Sequence, residues 1–362
     1  MFDDVYNGRR VLVTGHTGFK GSWLCAWLNR LGADVCGVAL PMETMPNHYD
    51  LLHLGMRSDI CDIREREKIM GIFSDFCPEV VFHLAAQPIV RHSYKEPAET
   101  FETNVMGTVN VLEAVRLTPS VRAVVVVSSD KCYENREQLR GYIETDAMGG
   151  YDPYSASKGC TELVVSSYRR SFFNVDDFGK RHHVLLASAR AGNVVGGGDW
   201  AVDRLVPDLA RNAAAGKTTD IRSPKSVRPW QHVLEPLSGY LTLAAKLLKG
   251  NMTFADAWNF GPDVDEIVSV EEAAGMLASN WNRIEYVLNP PFEQPHEAKL
   301  LSLNCSKAHD ILKWFPVLKT SEAIAWTAEW YRSFYENERI LTFSQLTDYV
   351  GIAKERGLEW TN

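Results

Sequence analysis

The stretch from Gly149 to Phe172 contains a tyrosine and a lysine at a spacing that supports proton transfer. Tyr154 and Lys158 lie four residues apart, which places the phenol and the ammonium on one face of a helix. Asp152 is suited to cap that helix, and Pro153 suits its first turn. The lysine charge and the positive end of the helix dipole would lower the pKa of the tyrosine. The pattern indicates a general base for an alcohol, or alternatively a core tyrosine beside a solvated lysine.

A glycine-rich turn near the N-terminus is typical of a cofactor site. The apolar run RRVLVTG ends at Gly15, and Gly18 and Gly21 follow at intervals of three before the helical pattern SWLCAWLNRLG. Strand, glycine turn and helix in this order favour a dinucleotide site, where the backbone approaches a pyrophosphate at the helix N-terminus. The alternative is a tight turn that binds no ligand. Lys20 in this turn would contact a phosphate or remain solvated.

The ends of later strands extend this predicted site. The second strand is followed by Pro41 and Met42, and its first acid is Glu43. An acid at the strand end for a ribose 2′-hydroxyl and an arginine cluster for a 2′-phosphate are both missing, and the expectation is NAD. Asp62, after the third strand, is placed to accept a hydrogen bond from an adenine amino group. The expected cofactor-binding residues are Gly15, Thr17, Gly18, Phe19, Gly21, Asp62, Ile63, Leu84, Ala85, Ala86, Tyr154 and Lys158.

Apolar runs alternate with helical patterns through the first half of the chain. Strands are expected over residues 9–15, 34–40, 58–62, 79–86, 121–129 and 182–192. This cadence predicts an α/β fold, a Rossmann-type doubly wound parallel sheet with a smaller C-terminal substrate-binding lobe. We expect a Rossmann domain over 1–192, to which 233–259 returns, and a lobe formed by 193–232 and 260–362.

A polar cluster follows the fifth predicted strand. Ser128, Ser129, Asp130 and Lys131 come directly after four valines. They would lie at the C-terminal edge of the sheet, where ligands of such folds bind. Serine and aspartate are also common in turns that have no chemical role.

The composition excludes several classes of function. A net charge of −8 over 362 residues argues against a nucleic-acid or anionic-membrane partner. The seven cysteines are scattered without a Cys-x-x-Cys pair, which indicates reduced thiols in the cytoplasm and no metal site. The N-terminus lacks the apolar run of a signal peptide, and no segment is long and apolar enough to cross a membrane.

Ordered blocks of sequence resemble one subfamily of the extended short-chain dehydrogenase/reductase family. The glycine turn, the serine after strand five and Tyr154-x-x-x-Lys158 are similar to that family in general. Nine blocks resemble the subfamily of CDP-glucose 4,6-dehydratases. In chain order they are GHTGFKGSWL, HLAAQP, TNVMGT, SSDKCY, GGYDPYSASKG, RAGNVVGGGDWAVDRL, RPWQHVLEPLSGY, WNFGP and HEAKLLSLNCSKA.

The resemblance implies a lyase with bound NAD and CDP-glucose as substrate. In such enzymes the tyrosine takes the proton of the sugar 4-hydroxyl while hydride leaves C4, water is eliminated across C5 and C6, and hydride returns to C6. This assigns catalytic roles to Tyr154, Lys158, Ser129 and the acid Asp130. The implied substrate-binding residues are Gln87, Asn193, Arg204, Arg228, Arg190 and His296.

Lys131 departs from the pattern of related dehydratases. Those enzymes have a glutamate after the aspartate, and it removes the C5 proton. Lys131 would serve as this base only in its neutral form, which burial or nearby cations favour in lysines. Alternatively, Lys131 stabilises the developing enolate and another group takes the proton.

Rival functions share part of this pattern. A 4-epimerase or a dehydratase for another nucleotide would use Tyr154 and Lys158, and a non-catalytic NAD-binding sensor would keep only the fold. The family also implies a homodimer through the helices that carry Asn104 and Tyr154. Residues 337–362 match no block, and we expect a peripheral helix or an oligomer contact there.

Overall fold

A seven-stranded parallel sheet forms the centre of the chain. The computed structural model describes residues 1–42, 44–138, 140–263, 266–289 and 300–362. The sheet contains β1 (Arg10–Thr14), β2 (Asp34–Ala39), β3 (Arg57–Ile60), β4 (Val80–His83), β5 (Ala123–Val127), β6 (Leu185–Ala191) and β7 (Ala257–Phe260). Their spatial order is β7-β6-β5-β4-β1-β2-β3. The order changes direction between β1 and β4, so the predicted doubly wound sheet is confirmed.

Helices cover both faces of this sheet. The helices of the described residues are α1 (Phe19–Arg30), α2 (His48–Leu52), α3 (Arg66–Phe76), α4 (Val90–Lys95), α5 (Pro97–Phe101), α6 (Gly107–Leu117), α7 (Pro153–Ser171), α8 (Leu205–Ala214), α9 (Leu234–Leu248), α10 (Val270–Asn280), α11 (Thr320–Asn337) and α12 (Thr342–Glu355). Short helical turns occupy Phe2–Asp4, Glu102–Met106, Asp130–Cys132, Val175–Asp177, Met252–Phe254, Ala308–Leu312 and Glu359–Thr361.

Alternation along the buried strands creates two cores. In β1, Val11 and Val13 pack with α1 and α9 on one face, whereas Leu12 packs with α3 and α6 on the other. Strands buried on both faces are expected to be apolar throughout, as this run is. The candidate site is built on the C-terminal edge of this buried sheet.

In the described part of the chain, three short strand pairs and five helices follow β6. Val194–Val195 pairs with Gln231–His232, Val227–Arg228 with Val268–Ser269, and Thr219–Ile221 with Tyr286–Leu288. Helices α8, α10 and α11 pack near these strands, whereas α9 packs on β5 and β6.

The C-terminal segment contains the expected helix, but that helix is not peripheral. Tyr349 and Leu346 of α12 are fully buried. The Tyr349 ring lies 5.8 Å from that of Trp27 on α1, and its hydroxyl donates to the Glu235 carboxylate at 2.8 Å. Buried aromatic surface thus ties the last helix to the main core.

Among the described residues, no helix is long and apolar enough to cross a membrane. All seven cysteines are free, and the described part of the chain contains no cluster of metal-ligating side chains.

Candidate active site

A cavity of about 620 Å³ lies along the C-terminal edge of the sheet. It extends from the glycine turn after β1, past the ends of β4 and β5, to the segment between α8 and α9. Its walls include every expected cofactor-binding residue, the five expected catalytic residues, and Asn193, Arg204 and Arg228. Residues that lie far apart in the sequence meet there because parallel strands end at one edge.

The glycine turn fits closely against the end of β4. Gly15 has a φ of +78°, and a Cβ there would lie 2.8 Å from the backbone nitrogen of Ala85. A Cβ at Gly21 would lie 2.1 Å from the carbonyl oxygen of Gly15. Since side chains are excluded at both positions, the turn brings bare backbone and the N-terminus of α1 to the cavity. This is the cradle that a pyrophosphate requires.

A threonine fixes the chain just beyond β4. The Thr14 hydroxyl accepts hydrogen bonds from the backbone nitrogens of Leu84 and Ala85 at 3.1 and 3.2 Å. It also contacts His83 Nδ1 at 2.6 Å. The predicted strand over 79–86 is shorter in the structure because these bonds replace sheet pairing after His83.

Helix α7 carries the predicted tyrosine and lysine into the cavity. Asp152 caps the helix by accepting from the backbone nitrogen of Ser155 at 2.9 Å, and Pro153 occupies its first turn, as predicted. Tyr154 and Lys158 are both buried. The Lys158 ammonium is 3.5 Å from the carbonyl oxygen of Val127, the last residue of β5.

The expected depression of the Tyr154 pKa is wrong. Burial raises the pKa of Tyr154 to about 12, and the nearby Ser129 hydroxyl only partly opposes this rise. Burial lowers the pKa of Lys158 to about 8, against the charge of Glu162. Desolvation penalises the charged form of both groups, and it outweighs the helix dipole.

The polar cluster after β5 forms a tight turn beside Tyr154. Ser129 caps it by accepting from the backbone nitrogen of Lys131 at 3.2 Å, and its hydroxyl donates to Asp130 Oδ1 at 2.9 Å. Burial raises the pKa of Asp130, although the charge of Lys131 opposes the rise. Asp130 is therefore suited to carry a proton, and half-buried Lys131 lines the cavity beside it.

Two of the expected substrate-binding residues point elsewhere. Gln87 is outside the cavity wall because its side chain closes its own loop, donating to Thr100 and accepting from the backbone nitrogen of Ile89. Arg190 is 4% exposed and pairs with Glu162 at 2.8 Å, away from the cavity. His296 and the acid Glu43 lie outside the described residues.

Two charged residues at or near the site, Asp199 and Glu162, were not assigned from the sequence, whereas Lys20 was expected to contact a phosphate or remain solvated. Asp199 pairs with Arg204 at 2.8 Å and orients it toward the cavity. Glu162 follows Lys158 by four residues, a repeated spacing that signals a third member of that helix face. Lys20 lines the cavity, and its pKa is lowered to about 7 by burial, Lys158 and Arg204.

Comparison with known proteins identifies relatives over nearly the whole chain. The model of the GDP-mannose 4,6 dehydratase family matches residues 12–327. The chain is 48% identical to the CDP-glucose 4,6-dehydratase of Salmonella typhimurium, covering 95% of this chain and 97% of that protein. It is 24% identical to dTDP-glucose 4,6-dehydratase 1 of Escherichia coli strain K12, covering 90% and 93%.

Solved structures share the fold. The Thermus thermophilus UDP-glucose 4-epimerase complex with NAD is 26% identical and has a TM-score of 0.74, covering 89% of this chain and 99% of that one. A UDP-glucose 4-epimerase from Thermotoga maritima with UDP-glucose is 24% identical with a TM-score of 0.76, covering 90% and 99%. Together with the family match, these relatives confirm the expected family: the chain belongs to the GDP-mannose 4,6 dehydratase family, within the extended short-chain dehydrogenase/reductases.

Proposed function

We propose that this chain is an NAD-dependent CDP-glucose 4,6-dehydratase, which converts CDP-D-glucose to CDP-4-dehydro-6-deoxy-D-glucose and water. The observation that carries the proposal is the 48% identity over 95% of the chain to a protein with that activity. Asp130 and Lys131 both line the cavity, and this sequence of residues agrees with the expected pattern of that subfamily.

The residues present fit NAD. The glycine turn and the first turn of α1 would hold the pyrophosphate, and Asp62 would accept from the adenine amino group. Leu40, Pro41 and Met42 line the cavity after β2, and they offer no cation for a 2′-phosphate. When bound, NAD supplies a hydride acceptor for C4 and returns that hydride to C6, so the sugar undergoes no net redox change.

Tyr154 is the base for the first chemical step. Its phenolate takes the proton of the 4-hydroxyl as the C4–H bond breaks, which leaves a ketone at C4. Because burial holds the Tyr154 pKa at about 12, the cation at Lys158 must stabilise the phenolate as it forms. Ser129 bridges the phenol and the sugar oxygen.

Asp130 and Lys131 carry the elimination. The C4 ketone acidifies the C5 proton, which Lys131 removes as the base. Asp130, protonated because of its burial, donates its proton to the departing 6-hydroxyl, which leaves as water. A proton then returns to C5 as C6 is reduced.

The sugar nucleotide would lie in the part of the cavity beyond β6. Arg204 and Arg228 bring positive charge to a diphosphate, and Asn193 offers an amide. We propose that residues 193–232 and 260–362 form this substrate-binding lobe and that 1–192 with 233–259 form the NAD-binding domain. Asp199 acts by holding Arg204 in place.

The test is incubation of purified protein with NAD and, separately, the CDP, UDP, dTDP and GDP forms of glucose. Mass spectrometry should show the loss of one water from CDP-glucose alone. An isomer of unchanged mass would indicate an epimerase, and product from dTDP-glucose alone would overturn the CDP assignment. Protein that turns over none of the four would point to a sensor.

We propose that the protein is a homodimer that works in the cytoplasm. Large apolar side chains are exposed on the helices expected to pair, including Met106, Leu117, Leu163 and Phe172. Apolar patches of this kind mark protein–protein contacts and support the dimer. The cytoplasmic location is supported by the free thiols, which are typical of a reducing compartment. Sedimentation of the wild-type protein and of Leu163→Glu should give a dimer and a monomer, respectively; a monomeric wild type would contradict the dimer.

A further inference from the structure

A buried ion pair lies directly behind the catalytic turn. Glu162 on α7 and Arg190 on β6 are each 4% exposed, and their side chains meet at 2.8 Å. Neither residue lines the active-site cavity, and both border a separate cavity of about 520 Å³ on the other side of the pair. Burying two charges has a large desolvation cost, and such a pair is often no more stable than apolar residues of the same size. A role besides stability would explain its presence.

The pair holds the far end of the turn that carries Ser129, Asp130 and Lys131. Arg190 Nη1 donates to the hydroxyl of Tyr133 at 2.6 Å, and its guanidinium lies 5.0 Å from the centre of that ring. The Tyr133 hydroxyl in turn donates to Asn259 on β7 at 2.8 Å. The residue that ends the catalytic turn is therefore fixed to two strands of the sheet.

Contacts of Glu162 join the catalytic helix to β6. Its carboxylate accepts from Ser188 on β6 at 2.8 Å, as well as from Arg190. Because Glu162 is one helical turn beyond Lys158, the ion pair joins α7 to the catalytic turn through Arg190 and Tyr133.

Glu162 also supplies the negative charge that Lys158 faces. Burial lowers the Lys158 pKa, and Glu162 is the main group that opposes the change, with a smaller contribution from Cys132. On the remaining sides, Lys20 of α1 and His83 of β4 respond to the charge of Lys158. The charges thus alternate from positive at Lys158 to negative at Glu162 and positive at Arg190.

We propose that Glu162 and Arg190 are positioning residues of the dehydratase, which clamp the turn of residues 128–133 against α7 and provide the counter-charge of Lys158. The proposal rests on the proposed function for its kinetic consequences only. Glu162→Gln is the informative change because it keeps the shape and removes the charge. Asp256→Asn is the matched control, since Asp256 pairs with Arg169 of the same helix at 3.2 Å, away from the cavity.

The experiment compares both variants with the wild type in steady-state kinetics, in pH profiles and in the ¹⁵N NMR titration of Lys158 Nζ, assigned with Lys158→Met. For Glu162→Gln we expect kcat to fall by at least about tenfold with KM for CDP-glucose within about twofold, as when a positioned group is lost. The Lys158 titration and the alkaline limb of kcat should both move to lower pH by about one unit. Arg190→Lys should give a smaller loss than Arg190→Met, and Asp256→Asn should resemble the wild type.

A Glu162→Gln variant with a lower melting temperature but an unchanged pH profile and Lys158 titration would overturn the proposal, because the pair would then be structural only. If the wild type turns over no nucleotide-glucose, the proposed function fails, whereas the Lys158 titration still decides whether Glu162 is its counter-charge.

Discussion

The Ser129 hydroxyl donates a hydrogen bond to one oxygen of Asp130 at 2.9 Å, and the other oxygen of that carboxylate has no partner among the described residues. This second oxygen, Oδ2, is buried next to Gly192, where a Cβ would lie 3.1 Å away. A buried carboxyl oxygen without a donor is best stabilised by a proton. The turn therefore presents an acid, not a carboxylate, to the cavity.

Asp130→Asn should separate the oxidation of the sugar from the loss of water. The amide cannot deliver a proton to the leaving 6-hydroxyl, and we expect kcat for dehydration to fall by about 10²–10⁴-fold. The wild-type activity should decline as pH rises through the Asp130 pKa, which burial raises, because the protonated form is the active one. When this variant is mixed with CDP-glucose for a single turnover, the reduced cofactor that C4 oxidation produces should still be detected.

The exposed acid Asp176 provides the control, and Asp176→Asn should leave both steps unchanged. Dehydration by Asp130→Asn at the wild-type rate would mean that water or another group protonates the 6-hydroxyl.

Lys131→Ala should leave NAD binding intact and abolish exchange of the C5 proton with solvent. Lys131 lines the cavity next to Asp130, and an alanine there removes the proposed base without touching the glycine turn. Incubation in deuterated water followed by NMR at C5 measures the exchange. Lys217→Ala on the exposed surface is the control. Undiminished exchange in the Lys131 variant would assign this proton to another group.

Two glycines of the same turn should respond differently to alanine. At Gly21 a Cβ would lie 2.1 Å from the Gly15 carbonyl oxygen, so the turn must open, whereas at Gly18 the distance is 3.4 Å. We expect Gly21→Ala to weaken NAD binding by at least about tenfold, or about 1.4 kcal/mol, and Gly18→Ala to change it by less than about threefold. Calorimetric titration with NAD measures both, and equal effects would contradict a backbone cradle.

The sheet and the chemistry-bearing residues were predictable from the sequence because local patterns carry them. Buried strands are continuous apolar runs, and Tyr154, Lys158, Asp130 and the glycine turn all follow a strand or begin a helix. Strand lengths were overestimated at β4, where the Thr14 hydroxyl ends the pairing, a contact that no local pattern contains.

Long-range burial explains what the sequence did not predict. Along the sequence, Arg190 lies close to residues that were expected to bind the ligand. The alternation of side chains along β6 directs Arg190 into the interior instead, where it forms a buried ion pair with Glu162. The Tyr154 pKa was predicted from its neighbours along the helix, whereas its burial depends on segments far along the chain. The packing of α12 on the core includes the hydrogen bond from Tyr349 to Glu235 of α9, which lies 114 residues away.

Glu235 should make the stability of this fold depend on pH. Burial raises its pKa from 4.5 to about 7, although the backbone nitrogens of Val317 and Leu318 and the Tyr349 hydroxyl donate to its carboxylate. Between these two pH values the folded chain keeps a proton that the unfolded chain has lost. The contribution of this group to the free energy of unfolding therefore falls as pH rises through that window, by about 1.4 kcal/mol per unit.

Glu235→Gln should flatten this part of the pH dependence of the free energy of unfolding, measured by urea unfolding between about pH 5 and pH 7. The amide of this variant also lowers overall stability because it faces a backbone N–H. Glu271→Gln, an exposed acid in the first turn of α10, should keep the wild-type slope. A slope in Glu235→Gln as steep as that of the wild type would show that Glu235 does not hold this proton, and that its hydrogen bonds keep it ionised in the folded protein.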